Sequence, residues 1–287
     1  MRIVPLFLLA LTALSPAVAL AEVPERTFWA ETFAGETLLD VTALSEGERA
    51  SVEQMADKYP DEGKGAPRIP ADEPLLLPRF RVGERYAVIT AKGTYGLGIV
   101  GFAATRGASE AHLLVYLDKL PKGAGKEGLA VPEAWLPQDF RPKLTPLKAV
   151  ALPKPIGAKL LAQALAGLSA EEKALLGKRK PTTGDLKAYT ARMPSDIRWI
   201  VTCAKKLSLT EVFSGMIYVS ATGEAVAAHA PFSVGIDHYV PRYAIDLDRD
   251  GLDELLFDSV YYEGDYRLLL KWDKGAPTVV TLTGDGA

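Results

Sequence analysis

"FRVGERYAVITAKGTYGLGIVGFAATRGASEAHLLVYLDKL", residues 80–120, contains three β-like runs separated by glycine-containing turns. In the first run Tyr86, Val88 and Thr90 fall on one face, the period of two that marks a strand buried on one side. The reading for this stretch is a small antiparallel sheet or an SH3-like barrel, and it sets the expected class of the whole chain: α+β, mainly β.

Outward from it, "SEGERASVEQMADKYP" carries Ser45 and Glu48 at capping-box spacing before a helix that Pro60 ends. On the other side, the composition changes between Pro121 and Pro155, where seven prolines interrupt the chain. Residues 121–156 therefore read as a Pro-rich linker or strap. "GAKLLAQALAGLSAEEKALLGK" is helical, with a second capping box at Ser169 and Glu172 and a stop at Gly177. From "IRWIVTCAKK" onward β patterns return, with turns at residues 221–224 and 263–265. The expected organisation is a β-rich domain over 22–120, the strap, and a helical segment followed by an antiparallel β domain over 157–287.

Residues 1–21, "MRIVPLFLLALTALSPAVALA", have the order of a secretory signal: Arg2, an apolar run from Ile3 to Leu14, and small residues at Ala19 and Ala21. That run is shorter than the roughly 20 residues a spanning helix needs. A periplasmic or secreted product with no integral membrane segment after signal removal is expected. The 33 basic and 36 acidic side chains give a formal charge of -3, a balance that argues against nucleic-acid binding. Cys203 is the single cysteine, so an intramolecular disulfide is excluded and another device must support the fold outside the cell.

The hairpin candidate "AIDLDRDGLDELLF", residues 244–257, offers such a device. Asp246, Asp248 and Asp250 occupy positions 1, 3 and 5 of a D-x-D-x-D-G loop, from which alternate side chains turn inward toward a hard cation. Gly251 permits the sharp turn, the carbonyl of Leu252 can face the ion, and Glu254 can close the shell, while Asp253 is expected to face outward. An EF-hand is disfavoured because position 12 is Phe257 and the flanks are β-like.

The stretch resembles the calcium loop of FG-GAP or integrin-type repeats, D-x-D-x-D-G-x-x-[DE] followed by an apolar strand, over about a dozen residues. The resemblance implies a structural calcium ion on Asp246, Asp248, Asp250, Leu252 and Glu254. Family loops commonly place a small residue or Asn where this chain has Arg249, and the loop usually recurs in every blade of a propeller, whereas it occurs here once.

Other motifs fail on context. Gly96-x-Gly98-x-x-Gly101, with Asp118 downstream, lacks the helix that a dinucleotide site needs after its last glycine. "GASEAH" around Ser109 lacks the final glycine and the helix of a nucleophile elbow. His112, His229 and His238 have no metal-ligand spacing, and Cys203 reads as an inert core thiol. Tyr261, Tyr262, Tyr266 and Trp272 read first as cross-strand packing and second as a carbohydrate or peptide platform. The sequence thus favours an exported, non-catalytic, calcium-stabilised protein that binds a protein or carbohydrate. A periplasmic or secreted hydrolase with a carboxylate-based site is the alternative.

Overall fold

The computed structural model describes residues 23–42, 44–61, 65–107, 110–273 and 275–285. The leader expected over residues 1–21 and the elbow serine Ser109 lie outside them. The described residues are mainly β with three α-helices, the α+β class that the sequence implies.

The three runs of residues 80–120 form the centre of a six-stranded closed barrel. Its strands are β1 (Phe28–Phe33), β2 (Glu36–Val41), β3 (Arg85–Ile89), β4 (Thr94–Arg106), β5 (Ala111–Leu117) and β6 (Glu127–Pro132), all antiparallel, in the order β1-β2-β5-β4-β3-β6, with β6 pairing back to β1. The hairpin between β1 and β2 turns through Ala34 and Gly35, both at positive φ as a two-residue type I′ turn requires. Closure leaves no open sheet edge. Tyr86 and Val88 point inward with Phe102, Leu113 and Val115, and helix α1 (Glu46–Lys58) packs Val52 and Met55 onto this core. The Ser45–Glu48 capping box is formed on both arms.

The Pro-rich segment departs from the expectation of irregular structure. It contributes β6, which closes the barrel, so the barrel extends past residue 120 to Pro132. The cause is the short run Leu129-Ala130-Val131, whose alternation buries Ala130 inside the barrel and Leu129 and Val131 outside it. A Cβ at Gly128 would meet the Ile89 carbonyl at 2.6 Å, so this close strand approach needs glycine. Two of the prolines sit at a strand end or edge: Pro132 terminates β6, and Pro146 lies in the two-residue edge strand β7 (Thr145–Pro146).

The rest of the chain builds two antiparallel sheets. One has the order β11-β10-β9-β8, from β8 (Leu186–Tyr189), β9 (Trp199–Lys206), β10 (Val212–Val219) and β11 (Ala225–Gly235). The other has the order β15-β14-β13-β12-β7, adding β12 (His238–Ile245), β13 (Glu254–Tyr261), β14 (Gly264–Asp273) and β15 (Ala276–Asp285). The two stack face to face through Ile200, Met216 and Tyr218 on one side and Leu255, Phe257 and Leu270 on the other.

Both sheets are also covered on their outer faces. Val201, Phe213 and Ile217 pack under α2 (Lys154–Gly167) and α3 (Ala170–Leu176), which Leu168 and the Ser169 cap separate. Ile245, Leu256 and Leu269 pack against the outside of the barrel at Trp29, Ile89, Leu129 and Val131. The layers therefore run barrel, five-stranded sheet, four-stranded sheet, helices. Double coverage explains why β10 is buried at every position and why β13 carries the unbroken apolar run Leu255-Leu256-Phe257 after Glu254. Among the described residues no helix is long and apolar enough to cross a membrane.

Candidate metal centre

β12 and β13 pair in register from Ile245 opposite Glu254, so residues 246–253 form the connection of a β-hairpin. The turn is made by Arg249 at φ +65° and Gly251 at φ +90°. Open space surrounds Gly251, so its role is conformational: the left-handed backbone there is one that other residues adopt at a cost. Two local bonds fix the loop: the Asp250 N–H donates to Asp248 Oδ1 at 3.1 Å, and the Leu252 N–H to Asp250 Oδ1 at 2.7 Å.

This geometry brings one carboxylate oxygen each from Asp246, Asp248 and Asp250 within 4.8 Å of one another. Asp246 Oδ1 is buried without a hydrogen-bond partner among the described residues. Glu254, only 2% exposed, accepts from the Leu247 N–H at 2.7 Å through Oε2. Burial pushes the Glu254 carboxyl up to about 8; the Leu247 bond opposes this and the neighbouring Asp248 charge adds to it. Burial also raises Asp248. The donor set is hard oxygen throughout, and the orphaned Asp246 oxygen beside clustered carboxylates fits a calcium-sized cation. In such a site Asp246, Asp248 and Asp250 would hold the ion, whose contribution would be charge neutralisation of the turn; Glu254 is not among the carboxylates that converge within 4.8 Å.

Asp253 corrects the sequence expectation. It is buried, not outward-facing, because its carboxylate binds Arg192: Oδ1 accepts from Nη2 at 2.6 Å and Oδ2 from the Arg192 backbone N–H at 2.8 Å. The Arg192 guanidinium also reaches Asp246 Oδ2 at 3.2 Å. A partner 61 residues away in sequence thus anchors the loop, and no local pattern announces it. Arg249, the departure from the family pattern, occupies the left-handed position, and its guanidinium lies 5.3 Å from the Phe140 ring centre. The preference for small residues or Asn at that position follows from the backbone.

The discounted motifs occupy structural places. Gly96, Gly98 and Gly101 lie inside β4, where the Gly98 N–H donates to Asp118 Oδ2 at 2.9 Å. His112 is buried with Nδ1 3.0 Å from Asp40 Oδ1. His229 packs edge-on to Tyr239 and Phe257, and desolvation lowers its pKa against the opposing charge of Asp237. Burial pushes the Cys203 thiol up to about 12, far from the thiolate that nucleophilic chemistry needs. Trp272 is a core residue, edge-on to Tyr218 at 5.3 Å with its indole N–H on the Asp253 carbonyl, while Tyr262 is exposed.

Sequence reasoning missed a polar junction between the barrel and the five-stranded sheet. Arg242 Nη1 bonds Asp258 Oδ2 and Arg242 Nη2 bonds Glu127 Oε1, both at 2.7 Å, while Arg267 pairs with Glu31 and lies 3.5 Å from Asp258. A charged residue breaking the apolar run of β13 was its only signal. The chain matches no protein-family model, and comparison with curated proteins and with solved structures returns no match.

Proposed function

We propose that the chain is an exported, non-catalytic binding protein whose 246–253 hairpin takes up a structural calcium ion, in the manner of the FG-GAP-type loop it resembles. The observation that carries this reading is the convergence of the Asp246, Asp248 and Asp250 oxygens within 4.8 Å. Beside them, the buried Glu254 carboxyl meets a backbone N–H and no cationic side chain among the described residues. Calcium is favoured over magnesium because the donors are numerous and anionic. The export expectation supports the reading further, since a single cysteine leaves the chain without an intramolecular disulfide in an oxidising compartment.

The test is thermal unfolding in calcium, in magnesium and in EDTA, with Asp248→Ala alongside. A ligand a hundredfold above its Kd stabilises by about 2.7 kcal/mol, so calcium should raise the midpoint by a few degrees in the parent and not in the variant. No shift at millimolar calcium would remove the ion from the reading. A hydrolase is the second reading, favoured by one observation: Glu31, Asp40, Glu263 and Asp265 line a recess of about 350 Å³ with Arg267 at the barrel junction. Turnover of glycoside, ester or peptide substrates that Asp40→Asn abolishes would establish it.

A further inference from the structure

The space between the two stacked sheets is filled unevenly along its length. On the four-stranded sheet, β9 directs Ile200, Thr202, Ala204 and Lys206 toward the partner sheet, and β10 directs Tyr218, Met216, Ser214 and Val212. At the Tyr218 end the bulk of Tyr218, Trp272 and Leu270 closes the sandwich. At the other end the residues shrink to Ala204, Ser214 and Val212, and the Ser214 hydroxyl is committed to the Asp237 carbonyl. The sandwich therefore opens at this end into a recess of about 390 Å³, within the size range of small-molecule sites.

Three connections frame its mouth: residues 207–211 between β9 and β10, 236–237 between β11 and β12, and 262–263 between β13 and β14. They carry three of the large apolar side chains that the protein leaves in solvent, Leu209 at 79% exposure, Tyr262 at 52% and Ile236 at 51%. Tyr261 stands beside Tyr262 with its ring nearly perpendicular, 6.3 Å between centres, and stacks parallel on Tyr266 at 6.1 Å, which supports it from behind. Interleaved with the apolar groups are hydrogen-bonding ones: Lys206, Ser208, Thr210, Glu211 and His238.

We infer that this recess is a carbohydrate site that takes one or two pyranose rings of neutral charge. Tyrosine rings present apolar faces that match the C–H face of a pyranose, and the polar rim matches its hydroxyls. The lining carries one fixed cation, Lys206, and one fixed anion, Glu211, so the recess has no net charge with which to select an anionic ligand such as a nucleotide. The inference rests on the reading of the chain as a binding protein and is independent of calcium ligation, since the acidic hairpin contributes no lining residue.

The experiment is a nuclear magnetic resonance titration of the folded full chain with cellobiose, maltose and N,N′-diacetylchitobiose, in calcium and in EDTA. Tyr262→Ala removes an exposed ring and Ala204→Leu fills the exposed floor, and neither touches the core. Saturable shifts at Leu209, Tyr261 and His238 with at least one sugar, weakened about tenfold by Tyr262→Ala and lost in Ala204→Leu, are expected. Failure of every sugar to give saturable shifts, or binding that both variants leave unchanged, would overturn the site. Release of monosaccharide during the titration would overturn the non-catalytic reading while keeping the site, so the two failures are distinct.

Discussion

Glu254 and Asp258 stand four residues apart on β13, project from the same face and are both buried, yet the chain treats them differently. Asp258 sits between two arginines of its own sheet, and one of these, Arg242, continues to Glu127 on the barrel. Burial raises the Asp258 carboxyl and Arg242 opposes it. Glu254 meets backbone N–H groups and no cationic side chain among the described residues, and three further acids lie on its side of the hairpin. A buried carboxylate needs compensating charge or it takes up a proton. Asp258 finds that charge inside the chain; at Glu254 it must come from outside, as a cation or a proton. The same strand thus carries a self-contained charge cluster at one end and an open one at the other.

The largest effect should come from breaking the closed cluster. Arg242→Met leaves Asp258 and Glu127 facing each other without a shared cation; because Arg242 and Glu127 are half-buried the cost is below that of a fully buried pair, about 1–3 kcal/mol. Urea unfolding should show this loss equally in calcium and in EDTA. A loss that calcium repairs would mean that the two ends of β13 are coupled and would dissolve the contrast.

Next comes the open cluster. Without metal, the Glu254 carboxyl is held at about 8, against an ordinary value of 4.5. Below 4.5 the group is protonated in both folded and unfolded chains. Between 4.5 and 8 the unfolded chain gives up the proton while the folded one retains it. Stability in EDTA should therefore fall as pH rises through this window. Calcium, which requires the ionised form, should flatten or reverse that slope. Glu254→Gln should abolish both the slope and the calcium response. An EDTA profile that rises across the same window would show that Glu254 is already compensated and that the two carboxylates are alike.

What the sequence disclosed follows the range of the forces involved. Both capping boxes are interactions over three residues, and Ser45–Glu48 and Ser169–Glu172 were legible in full. The turn of the acidic loop was legible because Gly251 and the alternating aspartates are local signals. β6 was hidden because flanking Gly and Pro obscured a three-residue apolar core that only barrel closure rewards. β1 and β2 carried a Gly35 turn between apolar runs, a signal the reading passed over. Asp253 was misplaced because its partner is 61 residues distant, and the Arg242–Glu127 contact spans 115. The recess depends on two small residues paired on adjacent strands, Ala204 and Ser214, that leave a gap toward the facing sheet, and such a gap has no sequence period.

The smallest effect tests whether Arg249 adds to the compensation that Arg192 already gives Asp246. Arg249 is the one cation within the loop's sequence, yet its guanidinium rests over Phe140 and forms no ion pair with the aspartates among the described residues. Its backbone at φ +65° costs an L-residue roughly 1–2 kcal/mol, less for Asn. The stacking it gains at a surface ring contributes about 0.5–1 kcal/mol. Arg249→Asn relieves part of the first and loses the second, so stability in EDTA should change by less than about 1 kcal/mol. The calcium increment should stay intact or grow, because the aspartate ligands are unaltered and a nearby positive charge has gone. A diminished increment would mean that Arg249 orders the turn for the ion, in addition to the Arg192 contacts that anchor Asp246 and Asp253.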